Sequence, residues 1–93
     1  MVPAQQRREV LFRGRVQGVG FRYTTLRIAA NYQVVGFVQN LADGRVRLVV
    51  EGSSQELGRF LSELESTMGH HITAQETVHD APTGEFEAME IRY

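Results

Sequence analysis

Apolar and polar positions repeat with two different periods along this chain, and the switches between them mark out its elements. Residues 8–13 (REVLFR) read as a short strand after a polar N-terminal stretch. From Phe21 the period lengthens. Phe21, Thr25, Ile28, Ala29 and Tyr32 fall on one helical face, with the helix running out near Asn31 and Tyr32. Residues 34–40 (VVGFVQN) are rich in strand formers. Residues 45–51 (RVRLVVE) set Val46, Leu48 and Val50 against Arg45, Arg47 and Glu51. Between these runs lies Leu41-Ala42-Asp43-Gly44, and Asp-Gly at that place predicts a hairpin.

Gly52 and Ser53 open a second helix. Ser53 with Glu56 fits a capping box, in which each side chain satisfies a backbone N–H at the helix start. Leu57, Phe60, Leu61, Leu64 and Met68 form an apolar stripe at helical spacing. The stripe outweighs the cost of Gly58, about 1 kcal/mol against alanine. Gly69 stands where a left-handed C-terminal cap is expected. Residues 71–79 (HITAQETVH) alternate as a strand with Ile72, Ala74, Glu76 and Val78 on one side. The turn Ala81-Pro82-Thr83-Gly84 follows. In the last run, 86–93 (FEAMEIRY), Phe86, Ala88 and Glu90 oppose Glu87, Met89, Ile91 and Tyr93. Both sets contain apolar residues, so its inward face stays open.

The order is β-α-β-β-α-β with an extra C-terminal strand set off by the Pro82 turn. This is the split βαβ pattern. It predicts the α+β class: a ferredoxin-like α/β sandwich, an antiparallel sheet covered on one face by two helices. With 93 residues, a single domain over 1–93 is expected, residues 1–6 forming a flexible tail.

Composition narrows the chemistry. Ten basic and 11 acidic residues give a net charge of -1, against the strong basic excess of a dedicated nucleic-acid binder. There is no cysteine, which removes disulfides, thiolate nucleophiles and cysteine-bound zinc and suits the reducing cytoplasm. No stretch approaches the roughly 18 apolar residues of a membrane span, so no membrane partner is expected. The start, MVPAQQRREV, lacks the apolar core and cleavage site of a signal peptide. No heptad or apolar surface run demands a partner, so a monomer is the expected state.

Gly14, Gly18 and Gly20 make the segment before the first helix a loop. A glycine loop between a strand and a helix lets several N–H groups converge on an anion, and the helix N-terminus adds partial positive charge. Arg22 lies in the first turn of that helix, where a cation is unfavourable unless an anion joins it. Arginine grips phosphate or carboxylate through two parallel hydrogen bonds. Glycine spacing alone leaves open both this cradle and a plain tight turn with a surface arginine, the turn being the commoner. No Gly-Lys-Ser/Thr follows, so the loop is no Walker A motif. It is no dinucleotide fingerprint either.

The full string GRVQGVGFR carries more. Gly14, Val16, Gln17, Gly18, Val19, Phe21 and Arg22, then Ala29, Gly36, Val38, Asn40, Asp43-Gly44 and Glu51-Gly52, closely resemble the acylphosphatase family. Its signature reads Gly-x-Val-Gln-Gly-Val-x-Phe-Arg, then Gly-x-Val-x-Asn and an Asp-Gly turn. The resemblance spans nearly the whole chain, with its core at 14–52, and that family also has a ferredoxin-like fold. It implies hydrolysis of an acyl phosphate to carboxylate and phosphate, with carbamoyl phosphate, acetyl phosphate or a glycolytic acyl phosphate as candidate substrates. Arg22 and Asn40 are the implied catalytic residues. Arg22 would bind phosphoryl oxygens together with the backbone N–H groups of Gln17, Gly18, Val19, Gly20, Phe21 and Arg22. Inorganic phosphate or a similar anion would occupy the same cradle. Asn40 would position the attacking water, and a phosphate oxygen of the substrate would take the proton. No cofactor or metal is implied.

Each of these residues also has a plainer role open to it. Asn40 precedes a hairpin turn, where asparagine commonly bonds its own backbone. Gln17 is expected to shape the loop, and Val19 and Phe21 to anchor it in the core. Tyr23 and Thr24 fit either the site mouth or the bare surface. His70, His71 and His79 lack a carboxylate at metal-ligand spacing and read as solvated side chains. Arg7, Arg8, Arg13, Arg15, Arg22 and Arg27 concentrate basic charge in the first third, either as a funnel for an anion or as solvated charges. Arg7, Arg8 and Arg27 fit the second description. The segment Met68-Gly69-His70-His71-Ile72-Thr73 departs from the family pattern after the second helix.

Three functions compete on this sequence: a stand-alone acylphosphatase; a noncatalytic module of the same fold that binds a phosphate metabolite or RNA; and a detached relative of the acylphosphatase-like domain of a larger carbamoyl-transferring protein. The RNA version requires exposed aromatics on adjacent central strands, and VVGFVQN shares only Gly-Phe-Val with the RNA-recognition signature.

Overall fold

In the computed structural model, which describes residues 4–93, the two periods in the sequence become one sheet and two helices. Strand β1 (Gln5–Gly14) buries Val10 and Phe12 on one side. Helix α1 (Phe21–Ala29) buries Phe21, Thr25, Ile28 and Ala29. Its stripe stops short of the expected Tyr32, because Asn31 and Tyr32 turn out of the helix through bonds to the carbonyls of Ile28 and Ala29. Tyr32 still packs on the core, edge-on to Phe60, and its hydroxyl donates to Glu63 Oε1 at 2.7 Å. Strands β2 (Val34–Asn40) and β3 (Val46–Ser53) form the hairpin.

Helix α2 (Ser54–Met68) buries Leu57, Phe60, Leu61, Leu64 and Met68, the apolar stripe of the sequence. Each such side chain contributes about 1.5–3 kcal/mol when fully buried. Half of the capping box is present. Ser53 Oγ accepts from the Glu56 N–H at 3.2 Å, while the Glu56 carboxylate turns instead to the Gln33 N–H at 2.9 Å. Gly69 is not a left-handed cap. Its φ of -57° continues the turn into a 3-10 segment, Gly69–His71. The His71 carbonyl at its end accepts from the Arg15 N–H at 2.9 Å, tying this departing segment to the start of the glycine loop.

The sheet runs β4-β1-β3-β2-β5, with β4 (Ile72–Asp80) and β5 (Met89–Arg92) as its edges. Four strands form the antiparallel split βαβ order, and both helices pack on one face through Val10, Phe12, Val38, Val46, Leu48 and Val50. The sheet is mixed, however, because β5 joins β2 in parallel, Gly36 level with Met89 and Gln39 with Arg92. A crossing segment rather than a tight turn links β4 to β5, so the chain re-enters the sheet in the β2 direction. The expected strand over 86–93 is thus confined to residues 89–92. Nor does β4 bury one alternating side. Residues 73–80 are all exposed, because α2 lies over the inner strands. Of the tail expected over 1–6, residues 1–3 lie outside the described residues, and Gln5 and Gln6 already pair with Ser53 and Gly52.

The second face of the sheet is closed by the segment between β4 and β5. Phe86 lies against Phe37, ring centroids 5.9 Å apart, and Arg92 stacks 3.9 Å over Phe37, leaving that side chain 3% exposed. Gly36 permits the close approach of β2 to β3. With φ at +149°, an added Cβ there would run into the Val49 carbonyl. Among the described residues, the fully buried charged side chain in this layer is Glu51, 3% exposed. Its carboxylate accepts from the N–H and hydroxyl of Thr83, the N–H of Gly84, and Arg7 at 3.2 Å. Arg7 is therefore not a solvated charge. Its side chain is 16% exposed and also reaches Glu85. Arg8 is partly buried with a sequestered Nε, whereas Arg27 is exposed.

Burial alone would raise the Glu51 carboxyl pKa, but the Thr83 and Gly84 N–H groups, the Thr83 hydroxyl and Arg7 together hold it below the ordinary glutamate value. Its contribution to stability is fully present above the unfolded value of about 4.3 and is lost as pH falls from there through the lower folded value. Glu51→Gln should cost about 1.5–3 kcal/mol at neutral pH, the range of hydrogen bonds to a charged group. It should also flatten the acid side of the melting-temperature profile. An unchanged acid profile would locate the acid sensitivity in another carboxylate.

Candidate active site

The glycine loop is held from both ends and leaves the N–H groups at its helix end free. Val16 is fully buried, Val19 packs against the core, and Phe21 is 2% exposed beside Phe12 at 5.0 Å between ring centroids. These anchors fix the loop at the point where α1 begins. Gly20 is the N-cap of α1 at φ +77°, ψ +20°, a left-handed conformation that any side chain would strain. No side chain caps this helix. Among the described residues no protein group accepts from the N–H groups between Gly18 and Arg22, so they remain open to an arriving anion.

Gln17 joins the loop to the hairpin. Its Nε2 donates to the carbonyls of Leu41 at 2.7 Å and Arg45 at 2.9 Å. The hairpin is itself locked. Leu41 N–H donates to the Arg45 carbonyl at 2.8 Å, and Asp43 accepts from the Arg45 N–H at 3.0 Å and Nε at 2.8 Å. Those two bonds, the backbone one foremost, hold the Asp43 carboxyl below its ordinary pKa. The clamp brings Asn40, the last residue of β2, to the loop. Gln17→Ala should cost about 1–2 kcal/mol, since both carbonyls keep a backbone donor. It should raise KM more than it lowers kcat, because the loosened loop loses its fixed distance to β2. A variant with unchanged KM would mean the loop holds its shape without the clamp.

Val16, Gly18, Gly20, Phe21, Arg22, Tyr23 and Asn40 line one cavity of about 160 Å³. The lining residues include no carboxylate, histidine or lysine. Arg22 forms no ion pair with any described residue; its guanidinium lies 5.1 Å over the ring of Tyr93. Asn40 Oδ1 is buried and has no hydrogen-bond partner. An unsatisfied buried acceptor costs about 1–3 kcal/mol, so its retention requires a reason. The structure thus brings Arg22, Asn40, Gly18, Gly20 and Phe21 together. Gln17 and Val19 do not line the cavity, one turned to the hairpin and the other to the core. Of the two residues left open at the mouth, Tyr23 lines the cavity and Thr24 does not.

Sequence reasoning missed Val16 as part of the wall and Tyr93 as the neighbour of Arg22. Val16 carried a signal, its place in the loop motif. Tyr93 carried none, because only the parallel pairing of β5 brings it there. Among the described residues no group of three His, Asp or Glu side chains is arranged to hold a metal ion.

Fold and cavity together define a ferredoxin-like α+β protein with an arginine- and asparagine-lined cleft at a helix N-terminus. The family model for acylphosphatase matches residues 8–91. The acylphosphatase of Archaeoglobus fulgidus is 38% identical over 85 residues, 91% of this chain and 96% of that one. The crystal structure of acylphosphatase from Bacillus subtilis superposes with a TM-score of 0.84 at 27% identity, over 95% of this chain and 99% of that chain. The chain belongs to the acylphosphatase family. Full-length HypF, in a phosphate- and nucleotide-bound form, contains a similar fold at a TM-score of 0.85 and 27% identity, but the match spans only 12% of that chain.

Proposed function

We propose that this chain hydrolyses the carboxyl–phosphate bond of acyl phosphates, releasing carboxylate and inorganic phosphate. One observation carries the reading: a guanidinium with no carboxylate partner and a buried asparagine oxygen with no donor line the same small cavity. Arg22 binds the phosphoryl oxygens with the backbone N–H groups of Gln17 through Arg22. Asn40 Oδ1 accepts a hydrogen bond from the attacking water and orients it toward phosphorus. An acyl phosphate already has a good leaving group, so fixing the reactants and stabilising charge on the phosphoryl oxygens accounts for the catalysis. No carboxylate or histidine lines the cavity, which supports transfer of the water proton to a phosphate oxygen of the substrate.

In this reading the chain acts as one domain over residues 1–93, as a cytoplasmic monomer, without cofactor or metal. Its partner is the small acyl phosphate, with neither nucleic acid nor membrane involved. The near-balanced charge and the absence of cysteine support these choices. The match over 99% of the Bacillus subtilis acylphosphatase chain supports the hydrolase reading.

The test is hydrolysis of benzoyl phosphate by the purified protein in the presence of a chelator. Turnover is expected. A folded protein that binds inorganic phosphate and shows no turnover would instead be a phosphate-metabolite-binding module on this scaffold.

A further inference from the structure

Four described arginines lie over aromatic rings: Arg7, Arg22, Arg47 and Arg92. Three of them also pair with a carboxylate, Arg7 with Glu51, Arg47 with Glu9 and Arg92 with Glu90. Arg22 has the ring of Tyr93 and no carboxylate. The distinction has a chemical consequence. A carboxylate occupies the N–H edge of a guanidinium and cancels its charge. An aromatic face takes only the flat face of the cation, leaving all five in-plane N–H donors and the full positive charge available. For a group that must offer two parallel hydrogen bonds to an incoming anion, a ring is the partner that orients without competing.

The topology delivers this ring to one place. In the parallel pair, Gly36 stands level with Met89 and Gln39 with Arg92, so the same register continued by one residue sets Tyr93 beside Asn40. Alternation fixes the side. Met89 and Ile91 pack on the core beneath α1, whereas Arg92 stacks on Phe37 across the sheet. Tyr93 therefore emerges on the α1 side, at the end of that helix where Arg22 begins. It is 88% exposed and is not among the side chains packed on the core.

We infer that Tyr93 is a positioning residue for Arg22, a neutral aromatic platform that holds the guanidinium at the cavity with its donor edge free. The inference rests on the reading of Arg22 as the phosphate-binding cation. The ring face acts here, and the phenolic hydroxyl has no part in it.

The experiment compares wild type, Tyr93→Phe and Tyr93→Leu by the dissociation constant for inorganic phosphate, benzoyl phosphate kinetics, melting temperature and the NMR signal of the Arg22 Nε–H. Tyr93→Leu should weaken phosphate binding and raise KM by about two- to fivefold, the range of a cation–π contact at an exposed site. Its melting temperature should be unchanged, and the Arg22 Nε–H should lose its ring-current shift and its order. Tyr93→Phe should restore all of these. Phosphate binding in Tyr93→Leu equal to wild type would overturn the inference. So would a Tyr93→Phe variant as weak as Tyr93→Leu, which would assign the effect to the hydroxyl. A wild type that binds phosphate without hydrolysing benzoyl phosphate would defeat the catalytic reading alone, and the phosphate series would still decide the role of Tyr93.

Discussion

Arg22→Ala should lower kcat/KM for an acyl phosphate by about a thousandfold or more and abolish measurable phosphate binding in the millimolar range. The scale is that of removing one preorganised charged donor from a phosphoryl-transfer site. Nothing nearby can substitute. Arg22 is the sole cation lining the cavity, and the remaining ligands are backbone N–H groups. Arg22→Lys should fail nearly as badly, because a compact ammonium cannot present two parallel N–H groups to two phosphoryl oxygens. Stability should move the other way. A cation in the first turn of a helix is unfavourable by about 0.3–1 kcal/mol, and Arg22 has no carboxylate whose charge its loss would strand. The alanine variant should melt at the wild-type temperature or slightly above it. Retention of a tenth of wild-type kcat/KM would remove Arg22 from the reaction, and a large drop in melting temperature would make its role structural.

The features legible in the sequence are those set by neighbours along the chain. The Asp43-Gly44 hairpin, the α2 stripe from Leu57 to Met68 and the glycine loop each depend on a few consecutive residues, and each lies where the pattern places it. What the sequence concealed depends on distant contacts. Glu51 reads as an outward charge on an alternating strand, yet its partners, Thr83 and Gly84, are more than 30 positions away and bury it. That same segment covers the second sheet face, which is why both alternating sets of residues 86–93 contain apolar side chains. Gly69 matched the pattern of a left-handed cap, but the His71 carbonyl is needed by the Arg15 N–H and the chain continues through a 3-10 turn. The candidate site was legible as residue types in a motif. Its assembly, with Arg22 and Asn40 separated by 18 positions and joined through the Gln17 clamp, became visible only in three dimensions. Arg22 and Asn40 share one property: each breaks a local rule, a cation at a helix N-terminus and a buried acceptor without a donor. Departures of this kind concentrate where function outweighs stability.

Asn40→Ala should separate rate from binding. A residue that only orients water contributes little to holding phosphate, so the phosphate dissociation constant should stay within about threefold of wild type, while kcat falls about 100- to 1000-fold, as for loss of one preorganised hydrogen-bonding group. The variant should unfold at the same temperature or higher, because alanine removes a buried oxygen that no protein donor satisfies. Asn40→Asp tests the same geometry with the sign of charge altered. The side chain keeps its shape, but a carboxylate repels the phosphoryl group, so affinity should fall along with rate. An Asn40→Ala variant that loses affinity and rate in equal measure would make Asn40 a phosphate ligand. One that loses stability and keeps its rate would return it to the plainer role of a turn residue.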